Sequence, residues 1–256
     1  MYVRFAALGD SATYGIGDPV PGGWRGWARL LADALGRRYD VSFCNVAASG
    51  ATATSVLETQ LEQAVAHRPD LASLVVGIND TMRGTWDAVR LREEMLTCAD
   101  ALTAVGATLL TAQFHDVGAV FGLPGVLRRP LQARVERVNE VFAEVHATYG
   151  GVQLDLRART DVHEREFWLV DRLHPSEAGH RALARAYAEL LAGAGFDVEP
   201  PSAECAGGLP GGWRQDLAWI VTEGAPWMGR RARDLGPWAA RLAWEETRQR
   251  LVPVSD

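Results

Sequence analysis

The chain has 256 residues, 48% of them hydrophobic, and a formal net charge of −6: enough for one α/β domain plus an extension, and too acidic for a nucleic-acid partner, which needs a concentrated basic face. All 26 basic residues are Arg, which excludes Schiff-base and Ser–Lys mechanisms, since both need a lysine amine. Three cysteines, Cys44, Cys98 and Cys205, are too widely spaced and odd in number for a disulfide framework or a paired-Cys zinc site; Cys44 and Cys98 read as small buried hydrophobes.

The first apolar run, residues 2–8, reads as a strand that ends in Gly9-Asp10-Ser11. A secretory leader is not expected, because this run passes straight into that turn. Nor does any apolar stretch approach the roughly 20 residues that span a bilayer. A soluble, cytoplasmic protein without stable membrane insertion is the expectation. Further strand-like runs follow at 41–45, 71–76, 107–111 and 152–155, with helical stretches at about 26–38, 55–67, 87–105, 130–149 and 176–194. Leu57, Leu61, Ala64 and Val65 have the spacing of a buried helical stripe, as do Val135, Val138, Phe142 and Val145. Strict alternation of strand and helix implies a five-stranded parallel sheet covered on both faces, a three-layer α/β/α sandwich.

Ligands of such sheets bind beyond the carboxyl ends of the strands. Ser11 falls just past one such end, Asn45-Val46-Ala47-Ala48-Ser49-Gly50 ends the second, and Val75-Val76-Gly77-Ile78-Asn79-Asp80 ends the third. A serine alone is no nucleophile at neutral pH; it needs a base, and the base needs an orienting acid. Asp171-Arg172-Leu173-His174-Pro175 supplies both on one short loop. Asp10 reads as ordering the local backbone and Asp80 as positioning its loop. Asp161 is a rival acid, disfavoured by the matched spacing of Asp171 and His174. Asp18 and Asp33 read as surface groups. His67, His115, His146, His163 and His180 show no metal-ligand spacing, so neither metal nor cofactor is expected.

Taken together, the four segments resemble the GDSL/SGNH hydrolases, over roughly residues 1–193. The Ser, Gly, Asn and His of the name match Ser11, Gly50, Asn79 and His174. At closer range GDSATYGIGDP, GWRGWA, RPDLASLVVGIND and DRLHPSEAGH look like a cytoplasmic actinobacterial subfamily. This resemblance implies a flavodoxin-like SGNH fold and a serine esterase. Ser11 would be the nucleophile, His174 the general base and Asp171 the orienting acid. The oxyanion hole would be made by the Ser11 and Gly50 backbone amides and the Asn79 side chain. Position 12 is Ala where many relatives carry Leu, Phe or Tyr, a departure that bears on pocket shape.

Two long connections, 113–129 with His115, Phe121, Gly122 and Pro124, and 156–173 with His163, Phe167 and Trp168, leave strand ends on the same side. They are candidates for the pocket walls. After Gly193 the composition changes. The reading is a hydrolase domain over 1–195, a Pro/Gly-rich linker over 196–212, and a helical extension over 213–256. Five of the nine tryptophans, Trp213, Trp219, Trp227, Trp238 and Trp244, lie in this extension. Tryptophans at helical spacing are more often packed than displayed, so Trp213, Trp219 and Trp238 are expected against the hydrolase domain or across a homodimer interface.

The leading function is hydrolysis of a small-molecule or lipid carboxylic ester. Alternatives are acyl transfer, O-deacetylation of a carbohydrate or secondary metabolite, and a non-catalytic binding protein. The last has no need of Ser11, Gly50, Asn79, Asp171 and His174 together.

Overall fold

The computed structural model describes residues 1–208. The packing expected of Trp213, Trp219 and Trp238 falls outside them, as does the whole extension over 213–256. Five parallel strands form one sheet: β1 (Tyr2–Gly9), β4 (Asp40–Asn45), β5 (Leu71–Val75), β6 (Thr108–Gln113) and β7 (Val152–Asp155), in the order β4-β1-β5-β6-β7. A two-stranded antiparallel ribbon, β2 (Pro19–Val20) with β3 (Gly23–Trp24), lies outside it.

Burial explains the strand sequences. The inner strand β1 carries Phe5, Ala6, Ala7 and Leu8, all inaccessible to solvent, as a strand covered on both faces must be. Helix α2 (Gly26–Leu35) packs on α9 (Glu177–Gly193), where Trp27 stacks on Tyr187 with ring centroids 4.7 Å apart. The opposite layer joins α6 (Ala88–Ala104) to α8 (Gly125–Tyr149). Side chains begin several helices: Asp87 accepts from the Val89 and Arg90 amides, and Ser176 from that of Gly179. Such caps satisfy donors that a helix leaves open at its start.

The first short helix, α1 (Ser11–Tyr14), begins at the nucleophile candidate. The helical stretch expected at 55–67 is instead α3 (Ala53–Ser55), a π-helical turn at Val56–Gln60, and α4 (Leu61–Ala66). The wide turn carries Gln60, whose side-chain amide accepts from the Gly9 N–H and donates to the Gly9 carbonyl, each at 2.9 Å. A widened turn of this kind is a recurrent feature of functional sites. Two more short helices leave the carboxyl edge, α5 (Ile78–Thr81) after β5 and α7 (Val117–Phe121) after β6.

Helix α8 starts at Gly125, ahead of the expected start at Pro130. Pro130 therefore lies inside the helix, beyond the first turn, and has no N–H to donate to the Val126 carbonyl four residues back.

Asp18 is the clear correction to the sequence reading. It is fully buried, not a surface group. Both of its carboxylate oxygens accept from Arg25, at 2.8 and 2.9 Å, and one also accepts from the Gly26 amide. Asp33, by contrast, is exposed and paired with Arg29. Cys98 is buried, its thiol pushed up to about 12 chiefly by desolvation, whereas Cys44 is only half-buried.

Residues 196–208 run along the domain: Val198 is buried, Pro201 receives Arg185, and the Ala206 carbonyl receives both Arg25 and Arg181. Among the described residues no helix is long and apolar enough to cross a membrane.

Candidate active site

Ser11 stands at the first position of α1, directly past the end of β1. Asp10 caps that helix, one carboxylate oxygen accepting from the Ala12 amide at 3.0 Å, so its expected backbone role is seen directly. Burial raises the Asp10 carboxyl to about 6, opposed by that hydrogen bond and by the charge of His174. Gly9 has φ +153°, and a Cβ there would meet the Val75 carbonyl oxygen at 2.5 Å. Only glycine lets β1 pass so close to β5 and still turn into Ser11.

His174 Nε2 lies 2.9 Å from Ser11 Oγ, and His174 Nδ1 lies 2.6 Å from Asp171 Oδ2. The other Asp171 oxygen accepts from the Leu173 and His174 amides. One carboxylate therefore shapes the loop and orients the ring. Between them Arg172 adopts φ +56°, an uncommon conformation for a side-chain-bearing residue, and its guanidinium donates to the Val120 carbonyl. Asp161, the rival acid, is engaged by Arg159 instead.

Gly50 has φ +75°, and a Cβ there would meet nothing within 4 Å. Here the backbone conformation demands glycine, not crowding. Arg83 donates to the Gly50 carbonyl at 3.0 Å. Asn79, on α5, is buried and donates to the Ala51 carbonyl at 3.1 Å. Its amide nitrogen has a second hydrogen, which remains for a ligand. Asp80 positions the neighbouring loop, its two oxygens accepting from the Ala53 amide; burial raises its carboxyl to about 7.

Beside Ser11 lies a cavity of about 80 Å³, lined mainly by apolar side chains, among them Val75, Ala112, Phe114, Leu154 and Leu183. Both long connections supply walls: His115 and Val117 from the first, Val162, Phe167 and Trp168 from the second. His163, Phe121, Gly122 and Pro124 are not among its lining residues.

Sequence reasoning missed two supports. Gln60 holds the backbone just before the nucleophile. His180, fully buried on α9, accepts from the Trp27 amide through Nδ1 at 3.1 Å and reaches the Ile16 carbonyl through Nε2 at 2.9 Å. That pairing fixes the ring as neutral with the proton on Nε2. Burial lowers its titration to about 4. The motif around Gly179-His180 contained the residue, but no spacing announced what it holds.

A serine hydroxyl, an imidazole and a carboxylate in hydrogen-bonded series at the carboxyl edge of a parallel sheet have the arrangement of a serine hydrolase. Within that class the chain belongs to the GDSL-like Lipase/Acylhydrolase family, whose model matches residues 7–182. It is a carboxylic-ester hydrolase. An acetylxylan esterase of Geobacillus stearothermophilus is 23% identical over 165 residues, covering 61% of this chain and 75% of that one. A crystal structure of Axe2, an acetylxylan esterase from the same organism, superposes with a TM-score of 0.61 at 18% identity, over 79% of this chain and 97% of that one. The lipase/acylhydrolase of Enterococcus faecalis gives 0.55 at 20% identity, over 78% and 99%. The esterase EstA from a Pseudoalteromonas species gives 0.57 at 14%, over 74% and 97%. At these identities the structural likeness is one of fold.

Proposed function

We propose that the protein cleaves a carboxylic ester through an acyl-enzyme on Ser11, as a soluble cytoplasmic enzyme that needs neither metal nor cofactor. Ser11 Oγ attacks the ester carbonyl carbon while His174 Nε2 takes its proton. The Ser11 and Gly50 amides and the free hydrogen of the Asn79 amide receive the oxyanion. His174 then protonates the departing alcohol, and water activated by the same imidazole releases the acid. Asp171 keeps the proton of the ring on Nδ1 and stabilises the imidazolium. The observation that carries this reading is the unbroken series of hydrogen bonds from Ser11 through His174 to Asp171.

The apolar cavity supports an ester with an apolar acyl group. Each added methylene buried there is worth about 0.8 kcal/mol, or roughly fourfold in kcat/KM if the gain is fully expressed in the transition state. Short-acyl deacetylation is the second reading, favoured by the acetylxylan esterase relative.

The test is hydrolysis of p-nitrophenyl esters from acetate to octanoate. Activity is expected to rise with chain length before it falls; a maximum at acetate supports the deacetylase. Ser11→Ala and His174→Ala should each abolish turnover with the fold retained, and Asp171→Asn should impair it severely. Wild-type turnover by Ser11→Ala would refute the mechanism.

A further inference from the structure

The wall of the cavity contains a polar group that the hydrolytic mechanism does not use. His115 follows β6, is 5% exposed, and its Nδ1 is buried with no hydrogen-bond partner among the described residues. Six other polar side chains that line the cavity are engaged. Asp10 accepts from Ala12, Ser11 pairs with His174, and Asn79 donates to Ala51. The Trp168 indole, the Arg172 guanidinium and the Tyr187 hydroxyl each donate to a backbone carbonyl. A buried polar group left unpaired is costly and uncommon, and calls for an explanation.

His115 is also held firmly. Asn139 clamps the preceding residue, accepting from the Phe114 amide at 2.6 Å and donating to the Phe114 carbonyl at 2.9 Å. The following residue, Asp116, caps α7 and pairs with Arg128. The ring itself tilts against that of Trp168, with centroids 5.2 Å apart. Burial, with the neighbouring charge of His163, lowers its titration to about 4, so it is neutral at physiological pH.

We infer that His115 is a specificity residue that hydrogen-bonds a hydroxyl group carried on the acyl chain of the substrate. The inference rests on the esterase reading above. A neutral imidazole presents one N–H donor and one bare nitrogen. A hydroxyl both donates and accepts, so it satisfies Nδ1 in either tautomer, whereas a carbonyl or ether oxygen satisfies only the protonated form. The acyl side is assigned because the alcohol departs after the first half-reaction. A cavity lined by Ala112, Leu154 and Leu183, all buried, suits the part that stays bound through both. The substrate class is thus a hydroxyacyl ester: an apolar chain with one hydroxyl placed to meet His115.

The experiment compares p-nitrophenyl hexanoate with its 3-, 5- and 6-hydroxy derivatives, in the full chain and in His115→Phe. In the unmodified protein at least one hydroxylated ester should exceed the parent by about tenfold in kcat/KM, mainly through KM, as for a site built to bond a hydroxyl. In His115→Phe the ratio of that ester to the parent should fall to about one or below. Should His115→Phe fail to fold, His115→Gln should keep part of the preference, because its amide still donates and accepts. The inference is overturned if no hydroxylated ester is preferred, or if the ratio survives in the variant. Absence of cleavage of every ester would overturn the esterase reading itself, and this inference with it.

Discussion

Asn79→Ala separates two jobs done by one side chain. In the structure one amide hydrogen is spent on the Ala51 carbonyl at 3.1 Å; the other is the proposed oxyanion donor. Losing the first leaves a buried carbonyl short of a partner, a destabilisation of about 1–3 kcal/mol. For a domain of this size that lowers the Tm by roughly 2–4 °C per kcal/mol. Losing the second removes a contact made chiefly in the transition state, so kcat should fall by about 10²–10³ with little change in KM. Steady-state kinetics on p-nitrophenyl butanoate, paired with a circular-dichroism melt, reads both. Asn79→Ser probes the same division, since a hydroxyl is too short to serve both carbonyl and oxyanion. A lowered Tm with intact kcat would assign Asn79 to the Gly50–Ala51 loop alone and refute the oxyanion role. An effect confined to KM would make it a substrate-binding residue.

Asp10→Asn keeps an acceptor for the Ala12 amide but removes a carboxylate that titrates at about 6 near His174. The ratio of wild-type to variant kcat/KM should be near one below pH 6 and rise by about fivefold above it, roughly 1 kcal/mol of charge stabilisation of the imidazolium; a ratio independent of pH would show that the charge does nothing. His180 titrates at about 4 in the fold against about 6.5 unfolded, so its contribution is full above pH 6.5 and is lost as pH falls toward 4. The unfolding free-energy difference between wild type and His180→Gln, from urea titrations, should therefore shrink by about 3 kcal/mol over that window, and a constant difference would contradict the buried neutral ring. Deleting residues 207–256 should lower the Tm or cause aggregation, in line with the proposed packing of the tryptophan-rich extension; unchanged melting and kinetics would make it an independent module.

The site was legible because its chemistry sits at strand ends. Ser11, Gly50 and Asn79 each follow an apolar run that reads as a strand, and sheet geometry alone gathers such positions on one edge. Asp171 and His174 were legible through their spacing. What escaped was whatever depends on partners distant in the chain. Asp18 reads as a surface group until Arg25 folds back on it and Glu177, from α9, joins Arg25 at 2.9 Å. Gln60 lies in the expected helix over 55–67 but outside its apolar stripe, and only the π-helical turn shows that it serves Gly9. His115 was named as a wall residue, but its unpaired nitrogen emerges only from the packing around it in the fold. The helix expected over about 130–149 begins instead at Gly125, with Pro130 inside it.

The sheet order shows why one member of the site needs so much support. β1 lies between β4 and β5, so Ser11 is flanked by the loop that bears Gly50 on one side and the helix that bears Asn79 on the other. Those three need only short connections. His174 follows β7, three strands from β1, a separation of roughly 14 Å at the usual strand spacing. No short turn reaches that far, so the chain after Leu156 must travel back along the carboxyl edge and be anchored there. Phe167 and Trp168 bury their rings beneath it, and the Leu169 amide bonds the His174 carbonyl at 2.8 Å. At Gly17, with φ +110°, the nucleophile's own loop presses so close to the returning chain that a Cβ would fall 1.8 Å from the Pro175 carbonyl oxygen. His180 then ties α9 to Ile16 and Trp27 from below. The contact between Ser11 and His174, 163 residues apart in the chain, therefore depends on a seam of buried contacts between the first and last parts of the domain. It follows that substitutions along this seam should separate base from nucleophile, and lower turnover, at smaller losses of stability than equal damage to the central strands.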